Sequence, residues 1–145
     1  MIKVVLDTNV FVVGFIDLAQ GIESAEVKIL KNLLNKNNTI LLSIPIEEQI
    51  MRVITRVKDK NFAGLIRHTI WSDFAAEFVD VDKNKRTIES FKNKVPRKDL
   101  GIFLTAFIGK ADYLISNDRE FLDSASKCQN EFKCISPNEF LNFLE

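Results

Sequence analysis

Ile2-Lys3-Val4-Val5-Leu6-Asp7-Thr8-Asn9 and Ala111-Asp112-Tyr113-Leu114-Ile115-Ser116-Asn117-Asp118 are the stretches whose reading decides the fold. Each is an apolar run of strand length that breaks into polar residues and a carboxylate. Three further runs, Ile40–Ser43, Glu77–Val81 and Phe132–Ile135, have the same length and are rich in Ile, Val, Leu and Phe. Helical patterns lie between them. Ala25–Leu34 carries apolar residues at 27, 29/30 and 33/34, and Ile46–Val57 carries them at 46, 50, 53/54 and 57, starting just after Pro45. Leu100–Ile108 is apolar nearly all round, as a helix buried on most faces would be. Short strands alternating with helices predict an α/β fold with a mostly parallel sheet covered on both sides.

Composition narrows the class. The 145 residues include 46% hydrophobic and 28% charged ones, ordinary for a globular chain and unlike a disordered or fibrous one. Twenty Lys+Arg balance twenty Asp+Glu, so no global basic field announces a nucleic-acid partner, and such a claim must rest on local patches. Five Gly and three Pro leave no linker or repeat, and one domain over residues 1–145 is expected. Cys128 and Cys134, with His68 as the single histidine, cannot complete a four-ligand zinc site. The first residues run straight into a strand without a basic and apolar leader, and no apolar run approaches the ~20 residues that span a bilayer. A reduced, cytoplasmic protein without membrane association is therefore expected.

In open parallel sheets, ligands bind beyond the carboxyl ends of the strands, so the acids there matter most. Asp7 follows the first strand and Asp118 the fourth. Asp99 opens the buried helix, and Glu47 and Glu48 sit in the first turn after Pro45. Any one alone reads equally as a helix cap, since Asp is a preferred N-cap and acids suit a first turn. Several at one sheet edge repel one another unless a cation compensates. Hard, oxygen-ligated Mg²⁺ or Mn²⁺ is such a cation.

Leu6-Asp7-Thr8-Asn9-Val10, then Asp99 opening Asp-Leu-Gly-Ile-Phe-Leu-Thr-Ala-Phe, then Ala111 to Leu122 through Ser116-Asn117-Asp118-Arg119-Glu120, resemble the successive motifs of PIN-domain nucleases. The resemblance covers nearly the whole chain in the right order. It implies a three-layer α/β/α sandwich and metal-dependent cleavage of single-stranded RNA. Many small members are toxins of prokaryotic toxin–antitoxin pairs, so the implied partners are an RNA substrate, an antitoxin protein and a second copy of the chain in a homodimer. Asp7, Asp99 and Asp118 match the metal-binding acids, and Glu120 a frequently acidic auxiliary position. Ser116, Thr8 and Asn9 match the polar places that fix those carboxylates. Asn117 stands where Gly is usual, a change that Asn's tolerance of positive φ accommodates.

The family's second motif falls in register on Gln49, with Glu47 and Glu48 beside it. Residues of a first turn fan out by roughly 100° each. Glu47 lies nearer the apolar face and Gln49 is neutral, so Glu48 is the best compromise for the missing carboxylate, expected to orient the attacking water. Arg97, Lys98 and Arg119 flank the acids and are expected to meet substrate phosphate. Two wider basic groups, Lys83–Lys98 and Arg52–Arg67, read either as solvated helix faces or as a phosphate-guiding rim. The twelve Phe fit core spacing, with Phe74, Phe78, Phe103 and Phe107 recurring at i, i+4. His68 reads as a surface or packing residue.

Rival chemistries fit less well. An aspartyl-phosphate phosphatase needs a second acid two residues after the first, where Asn9 stands. A receiver domain needs paired acids after the first strand and a Lys after the last. The alternative that stays open is a catalytically weak or inactive PIN-like scaffold that binds RNA or a protein.

Overall fold

The computed structural model describes residues 1–144. Five strands, β1 (Lys3–Leu6), β2 (Thr39–Leu42), β3 (Ala76–Phe78), β4 (Tyr113–Ile115) and β5 (Lys133–Ile135), form one sheet in the order β3-β2-β1-β4-β5, and every neighbouring pair is parallel. All five expected strands are present. The third is shorter than its apolar run, because the chain leaves the sheet after Phe78. Val79 still donates to the Leu42 carbonyl at 2.7 Å, and Val79 and Val81 stay buried. The central strands are apolar on both faces, as a doubly covered parallel sheet requires.

The crossovers decide the layers. From β1 the chain passes through α1 (Thr8–Ala19) and α2 (Ala25–Leu34) to β2, then through α3 (Ile44–Val57) and α4 (Lys60–Asp73) to β3. It returns through α5 (Lys85–Phe91), a 3-10 turn (Arg97–Asp99) and α6 (Leu100–Ile108) to β4, then through α7 (Arg119–Lys127) to β5 and α8 (Pro137–Leu144). Right-handed crossovers put α1–α4 on one face and α5–α7 on the other, because the chain steps across the sheet one way from β1 to β3 and the other way from β3 to β5. Helix α8 packs on α2. The result is the three-layer α/β/α sandwich.

Helix α2 has the expected bounds, with Ser24 accepting from Val27 N as its cap. Helix α3 begins earlier than its apolar spacing predicts, at Ile44 with Pro45 in the first turn. Ile46, Ile50 and Ile54 face the core, whereas Val57 is half exposed at the frayed end. Helix α6 is central: Phe103 meets Phe91 at 4.9 Å and Phe132 at 5.6 Å between ring centroids. The Phe reading needs one correction. Phe74 closes α4 and Phe78 lies on β3 with half its surface exposed, so these two share no helical face. β3 is an edge strand, and both Glu77 and Phe78 are exposed on it.

Two glycines record close packing between helices. A Cβ on Gly101 would lie 2.5 Å from Pro45 Cβ, so α6 and α3 meet at their first turns only because position 101 has no side chain. Gly14 performs the same service between α1 and Leu30 of α2.

Candidate functional site

Strand order places β1 and β4 side by side although the chain visits β2 and β3 between them. The connections leaving β1 and β4 run to opposite faces, which opens a crevice beyond their carboxyl ends. Asp7 stands on one lip of this crevice and Asp118 on the other.

Asp7 is 5% exposed and N-caps α1, one carboxylate oxygen accepting from Thr8 N at 2.7 Å. Its other oxygen accepts from Ser116 Oγ at 2.6 Å and from Asn9 Nδ2 at 3.3 Å. Ser116 Oγ in turn accepts from Asp118 N at 2.9 Å, and Asn117 N donates to Asn9 Oδ1 at 3.3 Å. One relay therefore runs from the Asp118 amide through the Ser116 hydroxyl to the Asp7 carboxylate. Asp118 caps α7, accepting from Phe121 N at 3.3 Å. Both acids thus serve as caps and still keep oxygens turned to the crevice, so the cap and site readings are compatible.

Asp99 differs. It is 5% exposed at the end of the 3-10 turn, makes no side-chain cap bond, and its Oδ2 is buried without a hydrogen-bond partner. An unsatisfied buried acceptor costs on the order of 1–3 kcal/mol, more when charged. Burial, then repulsion from Asp7, Asp118 and Glu120, pushes the Asp99 carboxyl up to about 6, against the Lys98 ammonium that lowers it. Burial raises Asp7 as well, offset by the Ser116 and Thr8 bonds and reinforced by Asp118. Asp7, Asp99, Asp118 and the exposed Glu120 therefore share one electrostatic neighbourhood.

The fold brings Lys98 to the same place, its Nζ 3.8 Å from Asp118 Oδ2. Arg97 is exposed at the start of the 3-10 turn, while Arg119 reaches Glu139 of α8 at 3.5 Å. Among the wider basic groups, Arg67 pairs with Glu47, Lys92 with Glu89 and Lys83 with Asp80. His68 is exposed on α4 beside Ser72 Oγ.

The second motif is resolved differently from expectation. Glu48 is exposed beside Ile44, Glu47, Met51 and Arg67, and is not among the charges that act on Asp7 or Asp99. Glu47 turns outward to Trp71 Nε1 at 2.5 Å and Arg67 Nε at 3.2 Å. Gln49 is the residue that faces the crevice: its Oε1 accepts from Thr8 Oγ1 and its Nε2 donates to the Lys98 carbonyl at 3.1 Å. The start of α3 at Ile44, and the Glu47 contacts with α4, rotate the first turn so that the third of the three polar residues points inward. Gln49 and Asn117 are the site residues that a search for charge passes over. The motif register was the signal that pointed to Gln49.

Among the described residues no group of three Asp, Glu, His or Cys side chains stands close enough together to hold a metal ion as it is. Repulsion between carboxylates acts over a longer reach than coordination, which explains how the acids perturb one another without touching. An all-oxygen, mostly carboxylate set containing one orphaned buried oxygen fits a hard divalent cation. It does not suit zinc, which favours the His and Cys this crevice lacks.

The sequence profile of the PIN domain family matches residues 3–120. No curated protein matches the chain. Among solved structures, the chain is similar to one in the crystal structure of VapBC2 from Rickettsia felis bound to a DNA fragment from their promoter. The TM-score is 0.59 and the identity 17%, over 92% of this chain and 98% of that one. At that identity the likeness is one of fold.

Proposed function

Because the chain belongs to the PIN-domain family of nucleases, we propose that it is a divalent-metal-dependent endoribonuclease of single-stranded RNA, working as one PIN domain over residues 1–145. The observation that carries this reading is the buried Asp99 oxygen without a partner, set among Asp7, Asp118 and Glu120 at the β1/β4 crevice. Asp7, Asp99 and Asp118 would hold Mg²⁺ or Mn²⁺, with Glu120 at the rim. When bound, such an ion supplies an acidified water and offsets charge on phosphate oxygens.

The chain's own residues do the rest. Ser116, Thr8 and Asn9 donate to Asp7 and hold its carboxylate in one rotamer, while Asp118 N holds the Ser116 hydroxyl. Lys98 and Arg97 stand where a phosphate would approach, and Arg119 joins them if its pair with Glu139 opens. No side-chain nucleophile is needed.

The fold likeness to the VapBC2 chain, crystallised with promoter DNA, supports a further step. In this reading the protein is the toxin of a toxin–antitoxin pair, acting in the cytoplasm, with an antitoxin protein and a second copy of itself as partners. Among the described residues no helix is long and apolar enough to cross a membrane.

One observation favours a second reading, a scaffold that binds RNA or a protein with little cutting: the residue facing the crevice from α3 is neutral. Purified protein incubated with single-stranded RNA and Mn²⁺ or Mg²⁺ separates the two. Cleavage that stops with EDTA and is abolished by Asp7→Asn supports the nuclease. RNA binding without cleavage selects the scaffold, and cleavage that survives exhaustive chelation overturns the metal reading.

A further inference from the structure

Three segments must be held together for Asp7 and Asp99 to face one another: the β1–α1 turn, the first turn of α3, and the 3-10 turn before α6. Asp99 does little to hold itself. Its backbone N donates to the Pro96 carbonyl at 2.9 Å, and its side chain is uncapped with an unpartnered oxygen. Asp7 and Asp118 are fixed by their caps and by Ser116. Among the described residues, one side chain hydrogen-bonds both the Asp99 segment and the Asp7 segment. Gln49 accepts from Thr8, the residue after Asp7, and donates to the carbonyl of Lys98, the residue before Asp99.

We propose that Gln49 is a positioning residue whose carboxamide, bridging the Thr8 hydroxyl and the Lys98 carbonyl, sets the gap between Asp7 and Asp99. This rests on the reading of the crevice as a divalent-metal site.

The bridge explains why an amide stands here. A Gln side chain offers an acceptor and a donor, and this position uses both. A Glu would keep the bond from Thr8 but turn an oxygen toward the Lys98 carbonyl, where two acceptors repel. A carboxylate at position 49 would therefore loosen the 3-10 turn that carries Asp99. The neighbours leave the task to Gln49, since Glu47 is engaged with Trp71 and Arg67 and Glu48 points to solvent. The close contact of Gly101 with Pro45 seats α6 on the same turn of α3, so the bridge joins two elements already in register.

The experiment compares wild type with Gln49→Met, which keeps the length and loses both hydrogen bonds, and with Gln49→Glu. Two readouts are taken: amide hydrogen exchange of the segment Pro96–Gly101 without metal, and the Mn²⁺ dissociation constant by calorimetry. Asp7→Asn serves as the binding-null control. In Gln49→Met the segment should exchange faster while the β1 and β4 amides stay protected, and Mn²⁺ should bind at least ~10-fold more weakly, the scale seen when groups orienting metal ligands are removed. Gln49→Glu should show the same faster exchange and no tighter Mn²⁺ binding than wild type.

Unchanged exchange in Gln49→Met overturns the bridge. Faster exchange with an unchanged Mn²⁺ constant overturns its role in setting the gap. Tighter binding by Gln49→Glu means that position 49 is a vacant ligand place and sinks the proposal. If wild type binds no Mn²⁺ yet Gln49→Met exchanges faster, the metal reading fails while the bridge stands.

Discussion

Asp99 concentrates the unfavourable electrostatics of the metal-free protein. Its carboxyl is pushed up to about 6 by burial and by Asp7, Asp118 and Glu120. Below the ordinary carboxylate range it is protonated in folded and unfolded chains alike and has no effect on stability. From about pH 4 to pH 6 the unfolded chain loses this proton first, so the folded state loses stability as pH rises, and the full penalty applies above pH 6. Asp99→Asn should therefore be more stable than wild type by about 3 kcal/mol at pH 7.5 without metal, with the difference vanishing by about pH 3. Urea midpoints at the two pH values measure this, and a less stable mutant at pH 7.5 would make Asp99 a structural residue. At the same scale, Glu48→Gln should leave cleavage within about twofold of wild type, because Glu48 is exposed and outside the charges acting on the crevice acids. A loss approaching that of Asp99→Asn, measured on the same RNA, would return Glu48 to the site. The three aspartates were legible because each follows a recognisable apolar run or opens one. Gln49 was marked by the motif register alone, and its inward direction was not legible, since that depends on where α3 begins and on what holds Glu47.

Helix α6 shows how one element serves both core and site. Its apolar residues fill the space under the sheet, and its first turn carries Asp99 to the crevice. The contact between Gly101 and Pro45 sets how closely that turn approaches α3. Gly101→Ala would gain up to about 1 kcal/mol in helix propensity but must push α6 off α3, an overpacking cost of about 1–3 kcal/mol. The expected outcome is a lower denaturation midpoint together with weaker Mn²⁺ binding, since the displaced turn carries Asp99 and the Lys98 carbonyl. Gly64, which has open space where a methyl group would stand, supplies the control: Gly64→Ala should weaken neither. The bounds of α2 could be read from periodicity and its Ser24 cap, and those of α6 from its apolar run. That of α3 could not, because Pro45 suits the second helical position as well as the first, and the helix starts at Ile44.

For the whole molecule, net charge is zero, so under the proposed function attraction to RNA would have to come from the cations gathered at one edge. Lys98 and Arg97 stand there, while Arg67, Lys92 and Lys83 are engaged in local pairs. RNA binding by the Asp7→Asn protein, followed by fluorescence anisotropy from low to moderate salt, should weaken with a modest slope. Lys98→Ala and Arg97→Ala should each reduce that slope by about 0.7, the single-strand value for one phosphate contact. An unchanged slope would place the RNA on another face. The sequence by itself determined the class of sheet, the acids that close its strands and the family to which they belong, because apolar periodicity and strand-end carboxylates are local properties of the chain. Tertiary structure alone decided the order β3-β2-β1-β4-β5, the meeting of Asp7 with Asp118 across strands far apart in sequence, and the choice of Gln49 over its acidic neighbours. Those depend on which helices pack against which, and a side chain's direction in a first turn is set by its neighbours in space.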